Sequence, residues 1–435
     1  MSRNQRPPGP SGLPLIGSMP KYGLNPFKYR KKWAEKYGDL VYVDGGVGRD
    51  GYILGSPELF EQVLVEDDSK YQRPREYREV FREGIGASEG EFWQQQRDMI
   101  QPAFYPQRIK AYAEQMQTAT EDLVEGWSDG ETRDIEKQMK DLTLDVFART
   151  AFGIENVGDY PAIRDACNAI GAKTSASNQV FPGWFPTPAN RQFDRAQKRL
   201  DETLDQIIQS GADDDTLLSV MIDAEADDGH QMSTETLRNE MITLLFAGHE
   251  TTALVLTYAF HLLSRNEDKR QKFFDEIDEV IDDDGLSPAN VQGLDYTNKV
   301  IKEVLRLRAP GHTIFREPSE PVNINGYEVT EGSVLFLPVW LIHHSEEYYD
   351  DPMTFRPERW DGTLEQDLPK YAYIPFGAGP HRCVGERFAK MELRIMLPTI
   401  AQQFKLDYVG ENPLEFKDGL AAQPKNEMLM DITAR

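Results

Sequence analysis

Phe376-Gly-Ala-Gly-Pro-His-Arg-Cys-Val-Gly385 places one cysteine, Cys383, in a glycine-rich loop. A helix-like run, Glu386-Arg-Phe-Ala-Lys-Met-Glu-Leu393, follows at once. A sulfur at a helix N-terminus meets unpaired amide N–H groups and the positive end of the macrodipole, which favour its thiolate form. Gly377, Gly379 and Gly385 let backbone come close to a flat, bulky partner. His381 can reach an anionic group beside the sulfur. The rival reading is a buried structural cysteine next to a turn.

The spacing F-x-x-G-x-H-x-C-x-G resembles the haem-binding loop of the cytochrome P-450 family. The resemblance implies that Cys383 is the axial thiolate ligand of haem b, with Phe376 and Gly377 against the ring. It also implies the family's fold: mainly α with small β-sheets, a large helical lobe around a long central helix, and a smaller β-rich lobe. One haem domain then spans residues 1–435. Alternating apolar residues place its β-rich part at about 30–56 and 312–342, with further strands near the C-terminus. Three- and four-residue spacing places its helical part at about 57–310 and 384–405. Asp39–Val43 and Tyr52–Leu54 read as a hairpin, and Val322–Val329 alternates around a turn.

The longest helix runs from Ser233 to about Leu263, with Ser233 or Thr234 as cap and Glu235 in the first turn. At 1.5 Å per residue it is roughly 45 Å long. It contains Ala247-Gly-His-Glu-Thr-Thr252. Gly248 at mid-helix costs ~1 kcal/mol relative to Ala, so its presence needs a reason. A flat ligand pressing on Ala247 and Gly248 supplies one, and a contact between helices is the plain alternative. Beside the cysteine loop, the segment is similar to the family's oxygen-activating helix. That similarity implies Glu250 and Thr251 as an acid–alcohol pair relaying protons into a dry pocket. His249 faces another side and receives no role.

Glu303-Val-Leu-Arg306 sets acid and base one turn apart on a helix. It precedes Asp351-Pro-Met-Thr-Phe-Arg-Pro-Glu-Arg-Trp360. Both resemble family segments and imply a structural cluster of Glu303, Arg306 and Arg359. Haem propionates need donors. The resemblance implies Trp93 and Arg97, one turn apart, then Arg316 and His381.

Two cysteines, Cys167 and Cys383, give no disulfide framework and point to a reducing compartment. Cys167 reads as a packing residue. The chain has 73 acidic and 48 basic residues, a net charge of −25, which argues against a nucleic-acid partner. The acidity suits either an ordinary surface or adaptation to high salt, as in a halophilic microbe. The longest apolar stretch, Val334–Ile342, is far short of a membrane span, and no signal peptide is evident, so a cytoplasmic, monomeric protein without membrane anchor is expected.

The implied activity is insertion of one oxygen atom from O2 into a lipophilic substrate. No G-x-G-x-x-G opens a βαβ unit and no P-loop occurs. Electrons therefore come from a separate donor, a ferredoxin type with its reductase. Arg382, Arg387, Lys390 and Arg394, with Arg97 and Lys110, form a candidate docking patch for it. Tyr77–Ile85, Asn178–Pro186, Leu244–Ala247, Ala309–Ile314 and Leu420–Gln423 are candidate substrate contacts. Two other classes stay open: a haem-thiolate isomerase or dehydratase, against which Glu250-Thr251 argues, and a haem-binding protein without turnover.

Overall fold

The computed structural model describes all residues except 1–5, 19–21, 23–24, 175–186, 212–215, 225–228, 230, 282–285, 287–289, 411–413 and 418. It is mainly helical, with four small sheets among the described residues.

The longest helix, Thr234–Ser264, begins where expected, because Ser233 Oγ accepts the Thr236 N–H at 3.1 Å. Most of its length is buried, as suits a helix apolar all round. It packs against Ile135–Phe152 on one side and against Glu386–Gln403 on another. The second of these is the helix that follows Cys383. The central helix and the cysteine loop are thereby held face to face.

The largest sheet has five strands in the order Leu40–Val43, Gly51–Leu54, Val334–Leu337, Ile314–Pro318, Tyr71–Gln72. Its first pair is the expected hairpin, with Leu40 opposite Leu54. Val322–Ile324 and Tyr327–Val329 pair antiparallel through Asn325-Gly326, both at positive φ (49° and 82°), as a tight hairpin turn requires. Phe404–Tyr408 and Leu429–Ala434 form the C-terminal pair.

Two strands fall inside the stretch read as helical. Tyr71–Gln72 joins the edge of the large sheet, and Thr132–Asp134 pairs with Leu429–Asp431. Both are two or three residues long and pair with partners far away in the chain. Neither leaves a local period to read.

Candidate functional site

A cavity of about 370 Å³ lies between the central helix, the cysteine loop and strand Ile314–Pro318. Cys383, His381, Phe376 and Gly377 open onto it from one side, Ala247, Gly248 and Thr251 from the other, and Arg316 from the strand. The rest of the lining is largely apolar: Phe147, Leu217, Leu244, Ile314, Leu420 and their neighbours.

The loop is shaped by backbone bonds. Cys383 N–H donates to Phe376 O at 3.0 Å, and Gly377 N–H to Ile374 O at 3.0 Å. Gly377 and Gly379 sit at φ 76° and 70°. A Cβ on Gly379 would stand 1.8 Å from the carbonyl oxygen of Leu64, so this glycine serves the approach of the loop to another backbone segment, not to a ligand. Burial pushes the Cys383 thiol above its ordinary value, and the Gly385 backbone N–H, Arg97 and Arg382 only partly oppose this. A cation facing the sulfur would favour its charged form.

Arg316 is buried, and its Nη1 donates to Phe315 O at 3.0 Å. Burial, then the neighbouring Arg73, lower its pKa to about 10, so it stays charged at neutral pH. Arg73 also lines the cavity and was missed from sequence. Its Nη2 donates to His381 Nδ1 at 2.8 Å. The imidazole therefore accepts at Nδ1 and carries its hydrogen on Nε2, which lies 3.6 Å from both Asp68 and Glu89 carboxylates. Burial and three arginines depress the His381 pKa to about 2. In that setting the imidazole is neutral at physiological pH. Trp93 and Arg97 stand behind this group. The Trp93 ring lies 4.0 Å from that of His381, and Arg97 Nη1 donates to Arg382 O at 2.9 Å. Neither lines the cavity. No local pattern marks Arg73; two strand residues just ahead of it bring it in.

Glu250 and Thr251 diverge. Thr251 faces the cavity, its Oγ1 donating to Ala247 O at 2.7 Å. Glu250 is buried off the cavity. Gln423 Nε2 donates to its Oε1, Lys140 Nζ lies 3.7 Å away, and Oε2 has no hydrogen-bond partner among the described residues. Burial raises the Glu250 pKa, and Lys140 and Gln423 work against this. Consecutive helix residues point about 100° apart, and on this helix the turn takes Glu250 away from the cavity while Thr251 faces it. The small residue at Gly248 also has a different cause from the one expected. A Cβ there would stand 2.9 Å from the Phe147 ring, so the glycine serves a helix crossing as well as the cavity wall.

A second acid was missed. Glu392, fully buried on the helix after Cys383, lines the cavity. Thr252 Oγ1 donates to its Oε2 at 2.9 Å, and Oε1 has no partner among the described residues. Burial holds its pKa well above the usual 4.5.

The ion cluster is as expected. Glu303 accepts from Arg306 at 3.0 and 2.8 Å and from Arg359 at 2.9 Å. Trp360 Nε1 adds a bond at 3.0 Å. The cluster reaches the cysteine loop through His343, whose Nδ1 meets Arg306 O at 3.2 Å and whose Nε2 accepts the Ile374 N–H at 3.3 Å.

The basic patch is smaller than its sequence suggests. Arg382 and Lys390 both pair with Glu386, at 2.6 and 2.7 Å, and Arg394 bonds Asn298. Of the substrate candidates, Tyr77, Leu244, Ala247, Pro310, Gly311, Thr313, Ile314 and Leu420 line the cavity, while Asn178–Pro186 lies outside the described residues. Phe147, Thr150 and Leu217 line it unforeseen. Cys167 is buried in packing.

A family model described as cytochrome P450 matches residues 7–430. The chain is 33% identical to cyclooctat-9-en-7-ol 5-monooxygenase of Streptomyces melanosporofaciens, over 91% of this chain and 88% of that protein. It is 27% identical to pentalenene oxygenase of Streptomyces avermitilis, over 91% and 90%. The structure of retinoic acid-bound cyanobacterial CYP120A1 superposes with a TM-score of 0.90 at 23% identity, covering 100% of both chains, and so shares the fold.

Proposed function

This chain belongs to the cytochrome P450 family and is a haem-thiolate monooxygenase, and from that premise we propose the following roles for its residues. Cys383 holds the iron of haem b. Arg73, Arg316 and His381 bind its propionates, with Trp93 and Arg97 bracing His381 and the loop. Phe376 and Gly377 lie against the ring. Bound haem supplies the redox centre at which O2 is split and one oxygen atom reaches the substrate. The donors fit such a group: the buried Arg316, the half-buried Arg73 and the His381 imidazole line one cavity with a single sulfur.

The observation that carries this reading is that Cys383 and Thr251 face each other across one largely apolar cavity. Thr251 offers a hydroxyl there, and Glu250 stands behind it as the acid, paired with Lys140 and held by a hydrogen bond from Gln423. Apolar walls exclude water and select a lipophilic substrate. We assign it to the olefins and olefinic alcohols, the chemistry named for the two Streptomyces relatives. The donor is a ferredoxin type with its reductase, docking near exposed Arg387. The protein acts as a cytoplasmic monomer, and its acidity is an adaptation to high salt.

The test uses reduced, carbonyl-bound protein. The thiolate-ligated Soret band should be present in wild type and absent in Cys383→Ser. Reductant-dependent product should carry isotope from labelled dioxygen. A Cys383→Ser protein that keeps the band refutes the ligand assignment. Product without label refutes the oxygen insertion.

A further inference from the structure

Behind the cavity lies a cluster of largely buried charges whose acids take no part in holding haem. Arg73, Arg316 and His381 line the cavity, and two acids stand behind them. Glu89, just ahead of helix Gly90–Ile100, accepts the Arg73 N–H at 2.6 Å and Arg73 Nη1 at 3.2 Å. Asp68, on the short turn Asp68–Lys70, sets Oδ2 3.6 Å from His381 Nε2. The Asp68 and Glu89 side chains are 16% and 19% exposed.

The two acids differ in how they are held. Glu89 is tied to Arg73 through backbone and side chain. Asp68 Oδ1 is buried and has no hydrogen-bond partner among the described residues. Its own turn gives no help, since Lys70 pairs with Asp67 at 2.6 Å. The charges that face Asp68 are Arg316 on its strand, Arg73, and Glu89, with the neutral His381 between them. Burial raises the Asp68 pKa above its ordinary value, Arg316 and Arg73 oppose this, and Glu89 adds to it.

Bound haem upsets this balance of charge. Arg73 and Arg316 offset Asp68 and Glu89, and Arg97 is a third cation beside His381. The propionates add negative charge, and reduction of the iron adds one unit more. A buried group with such an excess favours the binding of a proton, and the proton goes to the acid with the weakest hold on its charge. That acid is Asp68, whose orphaned oxygen no donor stabilises.

Resting on the haem reading, we propose that Asp68 takes up a proton as the bound haem is reduced. One electron from the external donor enters the iron, one proton from solvent forms an O–H bond at the Asp68 carboxyl, and the charge of the site stays constant. Oxidation returns both. Asp68 does not line the cavity, so it is a positioning residue, and what it sets is the driving force for electron entry. At low pH the carboxyl is protonated in both oxidation states, and at high pH it is ionised in both. The potential falls with rising pH only between those limits, in a window above the usual 3.8.

The test is spectroelectrochemistry of the haem-loaded full chain. From about pH 5 to about pH 9 the equilibrium constant for wild-type reduction should fall about fivefold. In Asp68→Asn the change should be about twofold or less, with a Soret band that shows haem loaded as in wild type. Asp67→Asn removes a neighbouring charge already paired with Lys70 and should follow wild type. The infrared difference spectrum should gain a protonated-carboxyl band on reduction of wild type and lack it in Asp68→Asn. A merely structural role for Asp68 alters haem content and leaves the pH profile in place. A pH-independent wild type, an Asp68→Asn profile like wild type, or loss of the profile in Asp67→Asn each overturns the proposal while the haem reading stands. A wild-type chain without the Soret band of bound haem overturns both.

Discussion

Thr252 Oγ1 donates to Glu392 Oε2 at 2.9 Å, so the alcohol beside Thr251 on the central helix is tied to an acid on the helix that carries Cys383. Burial raises the pKa of that acid well above the usual 4.5. The unfolded chain releases this proton near 4.5 while the native state keeps it, so the group weakens the fold increasingly as pH rises above 4.5. Glu392→Gln keeps the hydrogen bond and removes the penalty. Its melting temperature should match wild type at pH 4.5 and exceed it at pH 8. A variant less stable than wild type at pH 8 would show that Glu392 is ionised in the fold.

Thr251→Ala should still load haem and bind substrate, because among the described residues the hydroxyl bonds only a backbone carbonyl of its own helix. Reducing equivalents should pass to peroxide, with product per electron falling about tenfold or more. Peroxide and product are measured together, and unchanged coupling removes Thr251 from proton delivery.

Glu303 is fully buried and satisfies two guanidinium groups at once. Glu303→Ala strands both charges and should cost ~3–5 kcal/mol in urea unfolding. Because His343 links the cluster to Ile374, haem retention should fall with it. Normal haem retention in a destabilised variant would show the cluster and the loop to be independent.

Gly379→Ala meets the Leu64 carbonyl and a φ of 70° together. The loop must open by more than an ångström, and purified protein should carry little haem. Gly55→Ala is the control, since it lies off the cavity and its added Cβ would come no closer than 3.5 Å to the Asp39 carbonyl oxygen, and haem content should be close to wild type.

Net charge of −25 predicts a salt response. Screening shortens from ~10 Å at 0.1 M to ~3 Å at 1 M, which relieves repulsion among exposed acids. Melting temperature should rise from dilute buffer to molar KCl. A flat or falling curve favours an ordinary acidic surface.

Local order along the chain determined much of this protein. The cysteine loop, the capped helix from Ser233, the Glu303–Arg306 pair and the Asn325-Gly326 hairpin are each written within a dozen residues. Their geometry follows from helix period, turn chemistry and glycine freedom. Tertiary structure decided what those elements meet. Arg73 reaches His381 across 308 positions, Thr252 reaches Glu392 across 140, and Gly248 gives way to Phe147 on another helix. The same packing turned Glu250 towards Lys140 and Gln423 while Thr251 took the cavity. Such contacts leave no period in the sequence, because each depends on how two distant elements cross, and burial in that crossing then sets which groups keep their charge.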